Sequence, residues 1–181
     1  KQYRIHEGER RVLQQTQNVS TALLSLRISP ELCSRRVDQF QELNDTMPHF
    51  TRKLKYDIER STTGPQVDDL WYTYVITGTE NYGTLHAHVA VYVRGDIQKS
   101  DFHGVVDTFR DKCAYAPDYG NGYDGAIKIE SEPPTFETER GTETPMGTYV
   151  ANQVAFTGNG DGYDCVTELQ QPAMAMWYAA V

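Results

Sequence analysis

His86 and His88 flank Ala87 in the run 85–93, L-H-A-H-V-A-V-Y-V, which has the β-branched and aromatic content of a strand. The period-2 geometry of a strand puts both imidazoles on one face, about 7 Å apart, where they could grip a divalent ion between them. Leu85, Ala87, Val89 and Val91 then turn toward the core. Glu80 lies six residues before His86, just ahead of the turn residues 81–83 and across from the start of that strand. A carboxylate there could join the imidazoles as a third ligand, giving a mixed nitrogen and oxygen set that suits Mn²⁺ or Mg²⁺ and leaves positions for a phosphate oxygen. The plainer readings are a half-buried polar pair on a strand and a solvated turn carboxylate.

Tyr149 is the second chemical candidate. The chain has 12 tyrosines, so any one of them is by default a packing or surface residue. Tyr149 differs by standing at the start of a predicted helix, 148–156, with Asn152 and Gln153 one turn on and sharing its face. A phenol is a poor nucleophile near neutral pH, yet it attacks a phosphodiester when a metal polarises the non-bridging oxygen, and the covalent phosphotyrosyl product conserves the bond energy. Gln153 could reach the same metal.

The elements that must hold these groups read as an alternating α+β chain. Residues 18–29 form a β-branched and Leu-rich strand stopped at Ser29-Pro30. Over 31–60, Leu32, Val37, Phe40, Leu43, Phe50, Leu54 and Ile58 recur every three to five residues, which predicts one helix broken at Pro48 or two short ones. Two strong strands, 70–77 and 85–93, enclose a Gly- and Asn-containing link and form the clearest hairpin signal. A short helix over 101–113, a loop over 116–125, a short strand over 126–130 and an exposed loop over 131–147 precede the Tyr149 helix. The order is that of a βαββαβ sandwich, an antiparallel sheet with helices on one face, in a single domain spanning 1–181.

Acidic residues outnumber basic ones 25 to 17, a formal net charge of −8. That is the wrong sign for gripping phosphates by Lys and Arg alone, unless a metal bridges the phosphate or high salt makes long-range charge immaterial. The latter fits a salt-loving host. Cys33, Cys113 and Cys165 are an odd number without Cys-x-x-Cys spacing, which points to a reducing compartment, and no apolar run reaches ~20 residues. The expected setting is therefore cytoplasmic, without membrane. A start at Lys1 and an apolar finish at Val181 suggest a domain excised from a longer chain.

In order and spacing, these pieces resemble the endonuclease domain of the HUH superfamily, which includes replication initiators of rolling-circle plasmids and single-stranded DNA viruses, relaxases and certain transposases. Residues 22–28, A-L-L-S-L-R-I, look like the family's first hydrophobic strand. His86-Ala87-His88 followed by Val89-Ala90-Val91 looks like its His-hydrophobe-His strand, and Tyr149 with Val150, Ala151 and Asn152 looks like its Tyr-bearing helix. The likeness covers about 19–156. It implies a ferredoxin-like split βαβ sandwich with the His-x-His strand in its central antiparallel sheet. It also implies Tyr149 as nucleophile and His86 and His88 as metal ligands, with Glu80 as third ligand by analogy to viral initiators or Gln153 by analogy to some transposases. Asn152 stands where many initiators carry lysine, and the motif has a single tyrosine.

The activity so implied is nicking and joining of single-stranded or hairpin origin DNA through a 5′-phosphotyrosine, starting rolling-circle replication with Mn²⁺ or Mg²⁺. It looks similar to initiators of haloarchaeal plasmids or small viruses, with host replication proteins as partners and oligomers formed through further regions. Phosphate contacts are expected from Arg52, Lys53 and Lys55, or from Arg27, Arg35 and Arg36. Base stacking is expected on Tyr82, Tyr92 and Tyr123. The alternatives are a transposase-type HUH nuclease, a DNA-binding module with the same fold but no catalysis, and a hydrolase that uses water as nucleophile.

Overall fold

The alternate residues of each central strand face two different helical layers, and that double burial organises the molecule. The computed structural model describes residues 2–15, 17–60, 70–78, 84–120, 123, 125–131, 133–139 and 141–153. In chain order the elements are α1 (Gln2–Gln15), β1 (Val19–Arg27), α2 (Arg36–Arg60), β2 (Leu70–Gly78) and β3 (Leu85–Arg94). A short 3₁₀ turn (Lys99–Phe102) leads into α3 (His103–Lys112), followed by β4 (Ile127–Ser131), β5 (Phe136–Thr138), β6 (Gly141–Glu143) and α4 (Pro145–Gln153). The chain is thus α+β, with a four-stranded antiparallel sheet in the order β2-β3-β1-β4. β5 and β6 make a separate two-stranded ribbon.

Ala22, Leu24 and Leu26 of β1 and Ala87, Val89 and Val91 of β3 are fully buried under α2 and α3. α2 presents Gln39, Leu43, Thr46, Met47, Phe50, Leu54 and Ile58 to that layer, a spacing of three to four residues. The helix continues through Pro48 rather than breaking there. Pro48 is exposed while Met47 and Phe50 on either side are buried, so the apolar stripe holds the helix together despite one missing backbone donor. The helix starts at Arg36, not near 31, and Leu32 and Val37 of the expected stripe are exposed. The hairpin is as expected, pairing Leu70 with Val93 through to Gly78 with Leu85.

The opposite face of the sheet is covered too, by α1 and α4, where a one-sided sandwich was expected. Val19, Val75, Ala90 and Tyr92 meet Ile5 of α1 and Met146, Val150 and Ala151 of α4. α1 had no counterpart in the sequence reading. Its inward positions include the buried polar residues His6 and Glu9, which hide the apolar periodicity. Gly8 in its middle is a close-approach residue, since a Cβ there would meet the Trp71 ring. Within the expected loop 131–147 the chain instead forms the β5–β6 ribbon and the first turn of α4.

α4 begins three residues earlier than expected because Pro145 opens the helix rather than ending what precedes it. A proline is at home in the first turn, where its missing N–H has no partner to lose. Thr144 caps it, its Oγ1 accepting from the Gly147 N–H at 3.1 Å and its carbonyl from the Thr148 N–H at 3.1 Å. Cys33 and Cys113 are free and buried, and no described helix is long and apolar enough to cross a membrane. The segment 154–181, with Cys165 and the end of the expected helix 148–156, lies outside the described residues.

Candidate functional site

β3 pairs with β1 so that His88 sits opposite Ser25 and His86 opposite Arg27. Odd positions on β1 and even positions on β3 therefore share the α1/α4 face, and the two histidines stand on it with Ser25 and Arg27. The imidazoles lie much closer than strand spacing alone suggests. Their side chains lean together, ring centroids 4.4 Å apart in an edge-on arrangement and Nε2 to Nε2 2.8 Å. α4 then brings Tyr149 over the pair, its hydroxyl 3.1 Å from His88 Nε2 and its ring edge-on to His88 at 5.2 Å.

His88 Nδ1 lies 3.2 Å from Ser25 Oγ. With the His88 proton on Nδ1 and donated to that hydroxyl, Nε2 is the acceptor on which His86 and Tyr149 converge. His86 Nδ1 is buried without a hydrogen-bond partner among the described residues. Burial, followed by the Arg27 charge, holds the His86 imidazole down at about 4. Burial, then His86 and Arg27, brings His88 down to about 3. Both rings are neutral at physiological pH, and an ion between the two Nε2 atoms would replace their mutual hydrogen bond, with the His86 proton moved to its unpartnered Nδ1. Two imidazole nitrogens bound at right angles to one ion at about 2.1 Å stand about 3 Å apart. The 2.8 Å separation suits such a pair.

Arg27 ends β1 on the rim of this site. Its backbone N–H donates to the Tyr119 hydroxyl at 2.7 Å and its guanidinium to the Gly125 carbonyl at 3.3 Å. Gly125 has φ +71°, and a Cβ there would strike the guanidinium. Tyr149 itself is 43% exposed, so the phenol is reachable from solvent although the histidines beneath it are largely covered.

The Tyr149 helix is fixed from beneath by a buried carboxyl. Glu9 of α1 accepts from the Tyr92 hydroxyl at 2.7 Å and from the Thr144 hydroxyl, the same group that caps α4. Burial pushes the Glu9 carboxyl up from its ordinary value, while the Thr144 and Tyr92 hydrogen bonds oppose the rise. Gly147 in the first turn leaves room for that carboxyl, which a Cβ would overlap. Beside it His6 Nδ1 faces the buried Glu143 Oε2 at 3.3 Å, tying β6 to α1.

His86, His88 and Tyr149 are therefore gathered in one place. Gln153 is the last residue of α4, one turn beyond Tyr149 in the same helix, and Glu80 lies outside the described residues. Among the described residues no third His, Cys, Asp or Glu joins the imidazoles. Two expectations are corrected. Arg52, Lys53 and Lys55 ride on α2, across the sheet from the histidines, with Lys53 paired to Asp57 and Lys55 over the Tyr72 ring at 5.9 Å. Tyr92 is fully buried against Glu9, so it offers no stacking surface. Tyr123 stacks on His103 at 4.2 Å and donates to Asp107, and Tyr82 lies outside the described residues.

Ser25 and Glu9 were not anticipated. Ser25 could be found only from the β1–β3 register, and Glu9 only by asking what a carboxylate does within an otherwise amphipathic helix. The chain matches no family model, no curated protein and no solved structure.

Proposed function

We propose that this protein is a metal-dependent single-strand DNA endonuclease and strand transferase of the HUH type, nicking and rejoining DNA through a phosphotyrosine at Tyr149. The observation that carries the reading is the meeting of Tyr149 Oη with His88 Nε2 at 3.1 Å and of His88 Nε2 with His86 Nε2 at 2.8 Å. These residues are brought together by a strand and a helix about sixty positions apart in sequence. The β1-α2-β2-β3-α3-β4 connectivity and the order β2-β3-β1-β4 suit the ferredoxin-like split βαβ sandwich of such enzymes.

In this reading His86 and His88 would hold Mn²⁺ or Mg²⁺, with Glu80 or Gln153 the third ligand that the resemblance implies, and the ion would supply Lewis-acid polarisation of a non-bridging phosphate oxygen. Arg27 attracts and orients the phosphate from the rim. Ser25 fixes the His88 ring, and Glu9 with Thr144 fixes the helix that aims the phenol. The Tyr149 oxygen bonds to phosphorus as the phosphorus–O3′ bond breaks. The phenol gives up its proton and the leaving 3′-oxygen gains one. The free 3′-hydroxyl can prime synthesis, and a 3′-hydroxyl attacking the phosphotyrosine rejoins the strand without hydrolysis. Origin DNA of a rolling-circle replicon is the substrate this chemistry serves.

The test is incubation of the protein with labelled single-stranded DNA of randomised sequence, with Mn²⁺ or with chelator, read on a denaturing protein gel. A metal-dependent adduct that vanishes in Tyr149→Phe is the expected result. Cleavage without adduct, equal in both proteins, would assign the attack to water.

A further inference from the structure

One corner of the site face is left uncovered by α1 and α4, and it forms a pocket. Thr21 and Leu23 of β1 and their cross-strand partners Glu130 and Lys128 of β4 make the floor, and Pro145, Met146 and Tyr149 of α4 make the wall. Its volume is about 250 Å³. That is smaller than the roughly 300–1,000 Å³ of sites for drug-sized ligands and suits a single ring system. Its lining is mostly apolar. At its edge Lys128 Nζ and Glu130 Oε1 pair at 2.9 Å, the lysine well exposed and the glutamate half-buried.

We propose that this pocket seats the unpaired nucleobase of the nucleotide next to the phosphate that Tyr149 attacks, and that Lys128 and Glu130 read its edge. The inference rests on the nuclease reading above and adds a specificity site to it. Three features select a base over other flat ligands. The ring of Tyr149 is shared by the pocket wall and the reacting site, so an occupant is held directly beside the reacting oxygen. Arg27 carries positive charge on the same sheet face for the phosphate that must accompany it. A donor and an acceptor lie side by side on the rim, and a base edge presents both kinds of partner: lysine to a guanine O6 or N7, glutamate to a cytosine amino group. The apolar floor of Leu23 and Met146 contacts the base face without regard to sequence.

The experiment uses a single-stranded DNA pool with an eight-nucleotide random centre. Adducts formed with Mn²⁺ by the wild type, Lys128→Met and Glu130→Gln are sequenced. The same pool is selected for binding by Tyr149→Phe alone and combined with each substitution. Circular dichroism confirms that each variant is folded, as expected for changes at the sheet edge. The expected result is a base preference at one position flanking the joined phosphate that falls roughly tenfold in the rim variants, with other positions unchanged. An abasic nucleotide at that position should weaken the wild type by a similar factor. Adducts with identical preferences in all three proteins overturn the pocket and leave the nuclease standing. Binding preference lost in the rim variants without any adduct supports the pocket and overturns the nuclease. A pool neither joined nor bound overturns both.

Discussion

On the α2/α3 side of the sheet the inward positions of β1 and β3 are Ala22, Leu24, Leu26, Ala87, Val89 and Val91, closed by Phe50, Leu54 and Phe109. On the α1/α4 side the same two strands present Ser25, Arg27, His86, His88 and Tyr92, closed by helices that carry Glu9 and Tyr149. The first layer holds together by non-directional burial and tolerates change that keeps volume. The second depends on pairings of donors with acceptors, in which removal of one member leaves another stranded. Stability resides mainly in the one, and aiming of chemical groups in the other.

Acid should separate the two faces most. Unfolded imidazoles take up protons near 6.5, whereas His86 and His88 in the fold resist until about 4 and about 3. The unfolded chain binds more protons in that window. The stabilisation is complete above pH 6.5 and is lost as pH falls toward 3, on the order of 8 kcal/mol in all. Denaturant midpoints measured from pH 7 to 4 should fall steeply in the wild type and less so in a His86→Gln/His88→Gln variant. Glu9 works in the opposite sense. Its raised carboxyl favours the fold below the ordinary carboxylate range, and that contribution is lost as pH rises through the folded value.

Next in size is Phe109→Ala, which opens a cavity in the fully buried apolar layer. A loss of about 3–5 kcal/mol by urea denaturation is expected, with DNA joining per folded molecule little changed. Glu9→Ala should cost about 1–3 kcal/mol by stranding the Tyr92 and Thr144 hydroxyls. Unlike the core change, it should also slow joining by folded protein, because α4 loses its anchor. Smallest is Arg27→Ala, expected to leave the melting temperature in place and to lower joining roughly tenfold, as loss of one charge-assisted phosphate contact does. Equal joining by folded Arg27→Ala and wild type would remove Arg27 from the site.

The apolar face was legible in the sequence, and the polar face only in part. β1 and β3 as β-branched and apolar strands, the hairpin and α3 all follow from apolar pattern, and the placing of His86 and His88 on one side follows from the period of a strand. The run from Val89 to Val93 is apolar at both parities, a mark of a strand covered on both faces, which a one-sided sandwich overlooks. α1 is hidden in the sequence because beside Ile5 its buried positions are the polar His6 and Glu9, whose burial makes sense only beside Glu143, Thr144 and Tyr92. Pro145 reads equally as a loop residue or a helix opener until Thr144 is seen to cap the turn. Ser25 is one of many serines until register sets it against His88.

Tyr149, whose hydroxyl meets His88 Nε2 at 3.1 Å, is the tyrosine proposed to be joined to DNA. The most direct measurement is peptide mapping by mass spectrometry of the protein after reaction with single-stranded DNA and Mn²⁺ and digestion of the bound strand down to a short nucleotide remnant. A nucleotide mass on the peptide containing Tyr149, and on no other, is the expected result. The remnant on a different tyrosine, or DNA cleaved with no remnant anywhere, would contradict it.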